Sequence, residues 1–139
     1  MMKLLLISHG SFASGLLSSF EMIAGKNEDI SAISLTDEGI GEFSLRLKSY
    51  LNEHREETIF ILCDIKGGTP FNEAYREYLA NPEKIRLITG MNLPMLIEMG
   101  VMLSDDADFE ELFTVGIHAG QASIEGIIES FEEEDAIEF

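Results

Sequence analysis

The segment Leu4–Gly15, LLLISHGSFASG, joins a short apolar run to a helical pattern and places a histidine at the junction. Its first four residues are bulky and apolar, as expected of a strand that is buried on both faces of a sheet. A serine, a histidine and a glycine then end the run. Apolar residues resume at the spacing of a helix, at Leu16, Leu17, Phe20 and Ile23. The segment therefore predicts a β–α unit with His9 where the first strand ends.

The same alternation of apolar runs and helical patterns continues along the chain. It predicts strands over residues 3–7, 30–35, 58–63 and 84–89, and further helices over residues 40–51, 70–79, 94–103 and 109–122. For residues 123–131 the sequence predicts either a final strand or the end of a helix. Strands that alternate with helices are joined by crossovers and lie parallel. The pattern thus predicts an α/β fold of three layers, with a mostly parallel four-stranded sheet between helices on both faces.

Composition limits the partners that the chain can have. The 139 residues fit one domain, predicted over residues 1–131 and followed by an acidic tail over residues 132–139. The net charge of −17 argues against nucleic acid and anionic membranes and is compatible with a basic protein partner. No apolar run reaches the length of a membrane span. The single cysteine, Cys63, excludes an internal disulfide and favours a cytoplasmic location.

Unusual residues concentrate in the loops that follow the predicted strands. In parallel sheets a ligand binds beyond the carboxyl ends of the strands, where His9 and Asp64 both lie. Gly67 and Gly68 let backbone N–H groups approach an anion closely, and a helix N-terminus behind them carries partial positive charge. These features together predict a phosphate-binding site formed by Gly10, Ser11, Gly67, Gly68 and Thr69.

Side chains at the predicted helix starts suggest how these helices are capped. Thr69 and Pro70 are predicted as the N-cap and first residue of the third helix, and Ser11 as the cap of the first. The remaining histidines, His54 and His118, lie in separate segments and share no metal-ligand spacing. The sequence therefore predicts neither a metal site nor a cofactor, and it predicts Cys63, at the end of a buried strand, to be unreactive.

Three loop segments together carry a family resemblance: SHGSFASGL, CDIKGGTPFNEA and ITGMNLPML. In this order, within a match from Leu4 to about Gly126, they resemble the IIA domain of the mannose family of the bacterial phosphoenolpyruvate-dependent sugar phosphotransferase system. The resemblance implies a phosphotransferase component with a phosphohistidine intermediate. His9 would accept phosphate from the phosphocarrier protein HPr and pass it to a IIB protein for sugar uptake. Asp64 would hydrogen-bond the other nitrogen of the ring.

The resemblance also implies how the chain assembles. It implies a homodimer, often with a C-terminal strand exchanged between subunits. The acidic tail takes the place of a linker into IIB, so the IIB partner is expected to be a separate polypeptide. The membrane subunits IIC and IID would be contacted only through IIB. Partner-facing residues are expected at Phe71, Asn72 and Asn92.

Other functions stay open at this point. The phosphotransfer subunit of a dihydroxyacetone kinase shares the fold and the histidine. A metal chelatase of the sirohydrochlorin type resembles LLLISHGS at its start but does not explain GGTPFN. A receiver-like domain would use Asp64 as its phosphoacceptor, yet it needs a pair of acids after the first strand, where this chain has Ser8 and His9. A non-enzymatic α/β interaction domain is the remaining alternative.

Overall fold

The computed structural model describes residues 1–129, which form four strands and five helices. In chain order these are β1 (Met2–His9), α1 (Phe12–Ala24), β2 (Ile30–Leu35), α2 (Ile40–Glu53), β3 (Thr58–Cys63), α3 (Gly68–Ala80), β4 (Ile85–Thr89), α4 (Leu93–Met102) and α5 (Phe109–Ala122). Each predicted strand and helix is present, with ends shifted by a residue or two. The predicted α/β class is confirmed.

The four strands are all parallel and lie in the order β2-β1-β3-β4. Strand β1 is central: His9 pairs in register with Leu35 of β2, and Ile7 pairs with Cys63 of β3. The chain adds β2 on one side of β1 and β3 on the other. The strand order therefore reverses beside β1, which is where an open α/β sheet forms its binding crevice.

Helices cover both faces of the sheet, and this explains the unbroken apolar run of β1. Leu4 and Leu6 face α1, α4 and α5, whereas Leu5 and Ile7 face α2 and α3. Because successive side chains of a strand point to opposite faces, every position of a strand covered on both sides is apolar. All four side chains are fully buried.

The described part of the chain after α5 takes neither of its two predicted forms, a final strand or the end of a helix. Helix α5 ends at Ala122, and residues 124–129 form neither strand nor helix within this single chain. The rest of the predicted 123–131 segment and the acidic tail over 132–139 lie outside the described residues. Over residues 1–129, no helix is both long and apolar enough to cross a membrane.

Candidate functional site

The carboxyl ends of β1 and β3 bring His9 and Asp64 together, although 55 residues separate them in sequence. His9 Nδ1 lies 2.8 Å from Asp64 Oδ2, and the backbone N–H of His9 donates to the same oxygen at 2.9 Å. The other carboxylate oxygen accepts the N–H of Ile65 at 2.9 Å. One carboxylate thus holds both the main chain and the ring of His9.

The protonation of Asp64 decides which nitrogen of the His9 ring is free. Partial burial acts to raise the pKa of Asp64, but the hydrogen bonds from His9 and from the Ile65 N–H outweigh it and lower the pKa below its ordinary value. Asp64 is therefore ionised near neutral pH and can only accept hydrogen bonds. In the neutral ring the proton is then on Nδ1, which donates to Asp64, and Nε2 keeps its lone pair.

The free nitrogen of His9 faces the start of α3. A Cβ atom at Gly68 would lie 3.1 Å from His9 Nε2 and 3.0 Å from Cε1, closer than side-chain atoms normally approach. Gly68 also has a φ of +84°, a conformation that residues with a Cβ rarely adopt. Glycine is needed at position 68 for two reasons. It adopts the positive φ of the turn, and it has no Cβ to collide with the His9 ring.

Helix α3 starts earlier than its side chains suggest. It begins at Gly68, with Gly67 at the N-cap, and no side chain caps it. The prediction of Thr69 as N-cap and Pro70 as the first residue is therefore wrong. Two consecutive glycines with positive φ turn the chain directly into the helix, so its first N–H groups stay free of a capping side chain. This helix start lies next to the imidazole ring of His9.

The turn between β1 and α1 also differs from its prediction. Ser11 occupies the N-cap of α1 but makes no side-chain capping bond. The hydroxyl of Ser8 accepts the N–H of Ala13 instead, at 2.7 Å. The Gly10 N–H donates to the Leu35 carbonyl at 2.8 Å, and the phosphate-binding role of Gly10 stays a prediction.

A cleft of about 550 Å³ opens beside His9, on the side of β2. Sequence reasoning did not identify Ser34, Thr36 and Asp37, which line it together with Ser11. Ser34 is the penultimate residue of β2, and Thr36 and Asp37 follow the strand. Only the position of β2 next to β1 brings them to the site. The cleft is rich in hydroxyl groups and large enough for the tip of a partner protein.

The three residues predicted to face a partner have different surroundings. Asn72 is exposed on α3. Phe71 is half-buried and stacks on Tyr75, with 5.5 Å between ring centroids. The side chain of Asn92 accepts the N–H of Met95 at 3.1 Å and donates to the carbonyl of Gly120 at 3.0 Å. Both ends of this amide are used within the chain, where it caps α4 and anchors α5, and its partner-facing role stays a prediction.

The other candidate residues do not join the site. Cys63 is buried, and burial, assisted by the charge of Asp64, raises its pKa to about 12, so it stays a thiol near neutral pH. His54 packs on Tyr50 at the end of α2, and His118 is exposed on α5. Among residues 1–129, no group of three or more His, Cys, Asp or Glu side chains is arranged to hold a metal ion.

Comparison with known proteins assigns the family. Residues 3–115 match the EIIA-man family, described as the PTS (phosphotransferase system) fructose IIA component. The mannose-specific EIIAB component of Escherichia coli (strain K12) is 30% identical over 125 residues, which are 86% of this chain and 38% of that protein. The fructose-specific EIIA component of Bacillus subtilis (strain 168) is 32% identical over 101 residues, covering 71% of this chain and 68% of that protein.

A solved structure agrees over nearly the whole chain. The crystal structure of the phosphotransferase system component EIIA from Streptococcus agalactiae superposes with a TM-score of 0.81 at 28% identity, covering 91% of this chain and 97% of that one. The chain spans 38% of the length of the E. coli EIIAB protein and most of the Streptococcus EIIA chain. Since the family match covers most of its residues, this chain belongs to the EIIA-man family and is a component of a sugar phosphotransferase system.

Proposed function

We propose that the chain is a phosphocarrier, in which His9 accepts a phosphoryl group from phospho-HPr and passes it to a IIB protein for sugar uptake. One observation carries the proposal: Asp64 holds Nδ1 of His9 at 2.8 Å while Nε2 faces Gly68 at the start of α3. A side chain that is 45% exposed is also within reach of a partner protein. Membership of the EIIA-man family supports the same role.

The transfer step needs only a nucleophile and a way to balance charge. The Nε2 lone pair attacks the phosphorus atom of the donor, a P–N bond forms, and the bond to the donor breaks with its electron pair leaving on the donor. The ring then carries a positive charge, which the Asp64 carboxylate offsets through the Nδ1–H bond. Such a charge-assisted bond contributes about 1.5–3 kcal/mol. Transfer to IIB reverses these steps and restores the neutral ring.

The phosphoryl oxygens need donors near Nε2. The N–H groups of Gly67, Gly68 and Thr69 belong to an uncapped helix start, and the Ser11 hydroxyl lines the cleft on the other side of His9. Phosphoryl transfer depends mainly on positioning and electrostatic stabilisation, and these groups supply both without a metal or cofactor. Neutral donors also bind a phosphoryl group less tightly than a cluster of cations would, which suits a carrier.

A reconstituted phosphorylation assay tests the proposal. The chain is incubated with labelled phosphoenolpyruvate, Enzyme I and HPr, and label on the chain is measured with and without HPr. We expect label that depends on HPr and that a IIB protein removes. Labelling that is absent in the complete mixture, or that does not require HPr, would overturn the proposed role.

Replacing Asp64 by asparagine should slow phosphorylation without unfolding the protein. Asn keeps the shape, but its NH₂ group can donate to Nδ1 and so favours the tautomer with the proton on Nε2, and the balancing charge is lost. Losing a bond of about 1.5–3 kcal/mol corresponds to roughly a ten- to hundredfold fall in the rate of His9 labelling. Asp106→Asn removes one exposed charge in the turn between α4 and α5, outside the cleft, and is the control. Wild-type labelling by Asp64→Asn would show that Asp64 only shapes the turn.

We further propose that a single IIA domain over residues 1–131 works as a homodimer in the cytoplasm, with the membrane subunits IIC and IID contacted only through IIB. Three isoleucines after α5, Ile124, Ile127 and Ile128, are each at least 80% exposed in the single chain. Strand β4 is at the edge of the sheet, and a cavity beside it is lined by Thr89, Gly90 and Ile124. An apolar segment next to an open sheet edge favours pairing with a second copy.

Serine at all three isoleucine positions should convert the dimer into a monomer. Burying one such side chain stabilises by roughly 1.5–3 kcal/mol, so their joint loss weakens association by more than about a hundredfold. Light scattering at micromolar concentration measures the change. Met22→Ser is the control, because Met22 is 88% exposed but lies on α1. A monomeric wild-type protein, or an unchanged dimer in the triple variant, would contradict the proposal.

A further inference from the structure

Ser8 is a polar residue inside an apolar strand. Among residues 1–129 it is the one polar side chain that is completely buried, with no exposed surface. Its neighbours in β1 from Leu4 to Ile7 are all apolar. A buried hydroxyl is unfavourable unless its hydrogen bonds are satisfied, so its partners indicate what it does.

The Ser8 hydroxyl makes two bonds that close the turn after β1. It accepts the N–H of Ala13 at 2.7 Å, an amide in the first turn of α1 that has no partner within the helix. It donates to the carbonyl of Gly10 at 3.2 Å. One side chain therefore ties the strand end, the turn and the helix start together, with His9 inside the loop that it closes.

The position of the His9 ring depends on this backbone. The ring is 45% exposed, so packing restricts it less than a core side chain, and Asp64 holds only its Nδ1 edge. Gly10 has a φ of +54° and several backbone conformations open to it, yet its carbonyl is fixed by Ser8 and its N–H by the Leu35 carbonyl. Freeing the Gly10 carbonyl would let the Gly10–Ser11 peptide rotate, and with it the turn that carries His9 into α1.

We propose that Ser8 is a positioning residue for phosphoryl transfer: its hydroxyl holds the turn through Gly10 and Ala13 and thereby directs His9 Nε2 toward Gly68. The inference rests on the proposed phosphocarrier function and adds a residue that does not itself touch the phosphoryl group. This positioning role differs from a purely structural role, in which Ser8 would cap α1 and affect only the stability of the fold.

Steady-state labelling separates the two roles. A displacement of the reacting nitrogen by a fraction of an ångström to 1 Å costs up to about a hundredfold in rate, so Ser8→Ala should lower the maximal rate of labelling by phospho-HPr about tenfold. The apparent KM for phospho-HPr should change less than about twofold, because the docking surface is untouched. Ser8→Thr keeps the hydroxyl and should restore most of the rate. Thr58→Val, which removes a hydroxyl bond to the Met1 carbonyl at the opposite end of the sheet, is the control.

A second measurement does not depend on phospho-HPr, the phosphoryl donor. Nitrogen-15 NMR of the His9 ring reports the Nδ1–H tautomer, and we expect Ser8→Ala to lose this signature in part while Ser8→Thr and Thr58→Val retain it. If wild-type protein is not labelled at all, the proposed function fails, and the NMR comparison still decides the role of Ser8. If Ser8→Ala does not fold, Ser8→Cys replaces it, since a thiol is a weaker donor and acceptor and should give an intermediate loss.

Two results would overturn the inference. One is a folded Ser8→Ala protein that melts at a lower temperature but is labelled at the wild-type maximal rate with an unchanged His9 tautomer. The other is a Ser8→Thr protein that is as slow as Ser8→Ala although it is folded. Either result would reduce Ser8 to a cap of α1.

Discussion

His9→Ala should abolish labelling from phosphoenolpyruvate, Enzyme I and HPr completely, while the protein remains folded. The ring is half exposed and packs on few side chains, so its removal leaves no cavity in the core. What is lost is the lone pair on Nε2, and Cys63 cannot replace it because it is buried and remains a thiol. Loss of label together with an unchanged circular dichroism spectrum is the expected result.

The chemistry of the label on the wild-type protein gives an independent check. Phosphohistidine is stable in alkali and is lost in mild acid, whereas an acyl phosphate on Asp64 would be lost in alkali. His118→Ala is the matched control, since His118 is exposed on α5 and should leave labelling unchanged. Alkali-labile label, or full labelling of His9→Ala, would show that another residue accepts the phosphoryl group.

Gly68→Ala should slow the labelling of His9 although the histidine is still present. Its methyl group would lie 3.0–3.1 Å from Cε1 and Nε2 of His9, so either the ring or the start of α3 must move. It would also occupy the space in which a phosphoryl group on Nε2 has to fit. A shift of 1 Å at a reacting atom costs on the order of a hundredfold. The ring has to give by only a few tenths of an ångström, so with the lost space we expect the labelling rate to fall by about tenfold or more.

A control is needed because alanine at a positive φ is strained wherever it occurs. Gly25 has a φ of +88°, close to the +84° of Gly68, and a Cβ there meets no atom within 4 Å. Gly25→Ala should therefore lower thermal stability, with a backbone strain of about 1–3 kcal/mol, and leave labelling unchanged. Equal loss of labelling in both variants would mean that strain, and not the contact with His9, is responsible.

The fold was predictable because burial on both faces leaves an unmistakable pattern. The runs at 4–7 and 59–63 are continuously apolar, which only central parallel strands require. The proximity of His9 and Asp64 followed from the same logic, since the carboxyl ends of parallel strands meet at one edge, whereas their hydrogen bond was implied by the family resemblance. Two charged or polar residues at the ends of central strands are thus placed together by topology alone.

The order of the strands was not predictable, and part of the site depends on it. The sequence of β2 would suit either edge of the sheet, because an edge strand needs only one hydrogen-bonded neighbour. Its place beside β1 brings Ser34, Thr36 and Asp37 to the cleft. No local pattern distinguishes these residues from other polar residues that follow a strand.

The caps of α1 and α3 were mispredicted because several residues near each helix start have similar capping preferences. Ser8 and Ser11 are both good capping residues, and the choice of Ser8 depends on the left-handed turn at Gly10. Thr69 and Pro70 form a favourable cap pair, yet the positive φ angles of Gly67 and Gly68 start α3 before them. Backbone conformation, which a list of side-chain preferences does not contain, decided both cases.

The central position of β1 and β3 also determines how the protein fluctuates. In the single chain, strands β2 and β4 each have one open side and are expected to exchange their amide hydrogens first, through openings that leave the middle of the sheet intact. His9 and Asp64 are attached to the two strands that open last. A carrier built in this way can loosen its edges as it meets successive partners and still present the same imidazole geometry to each of them.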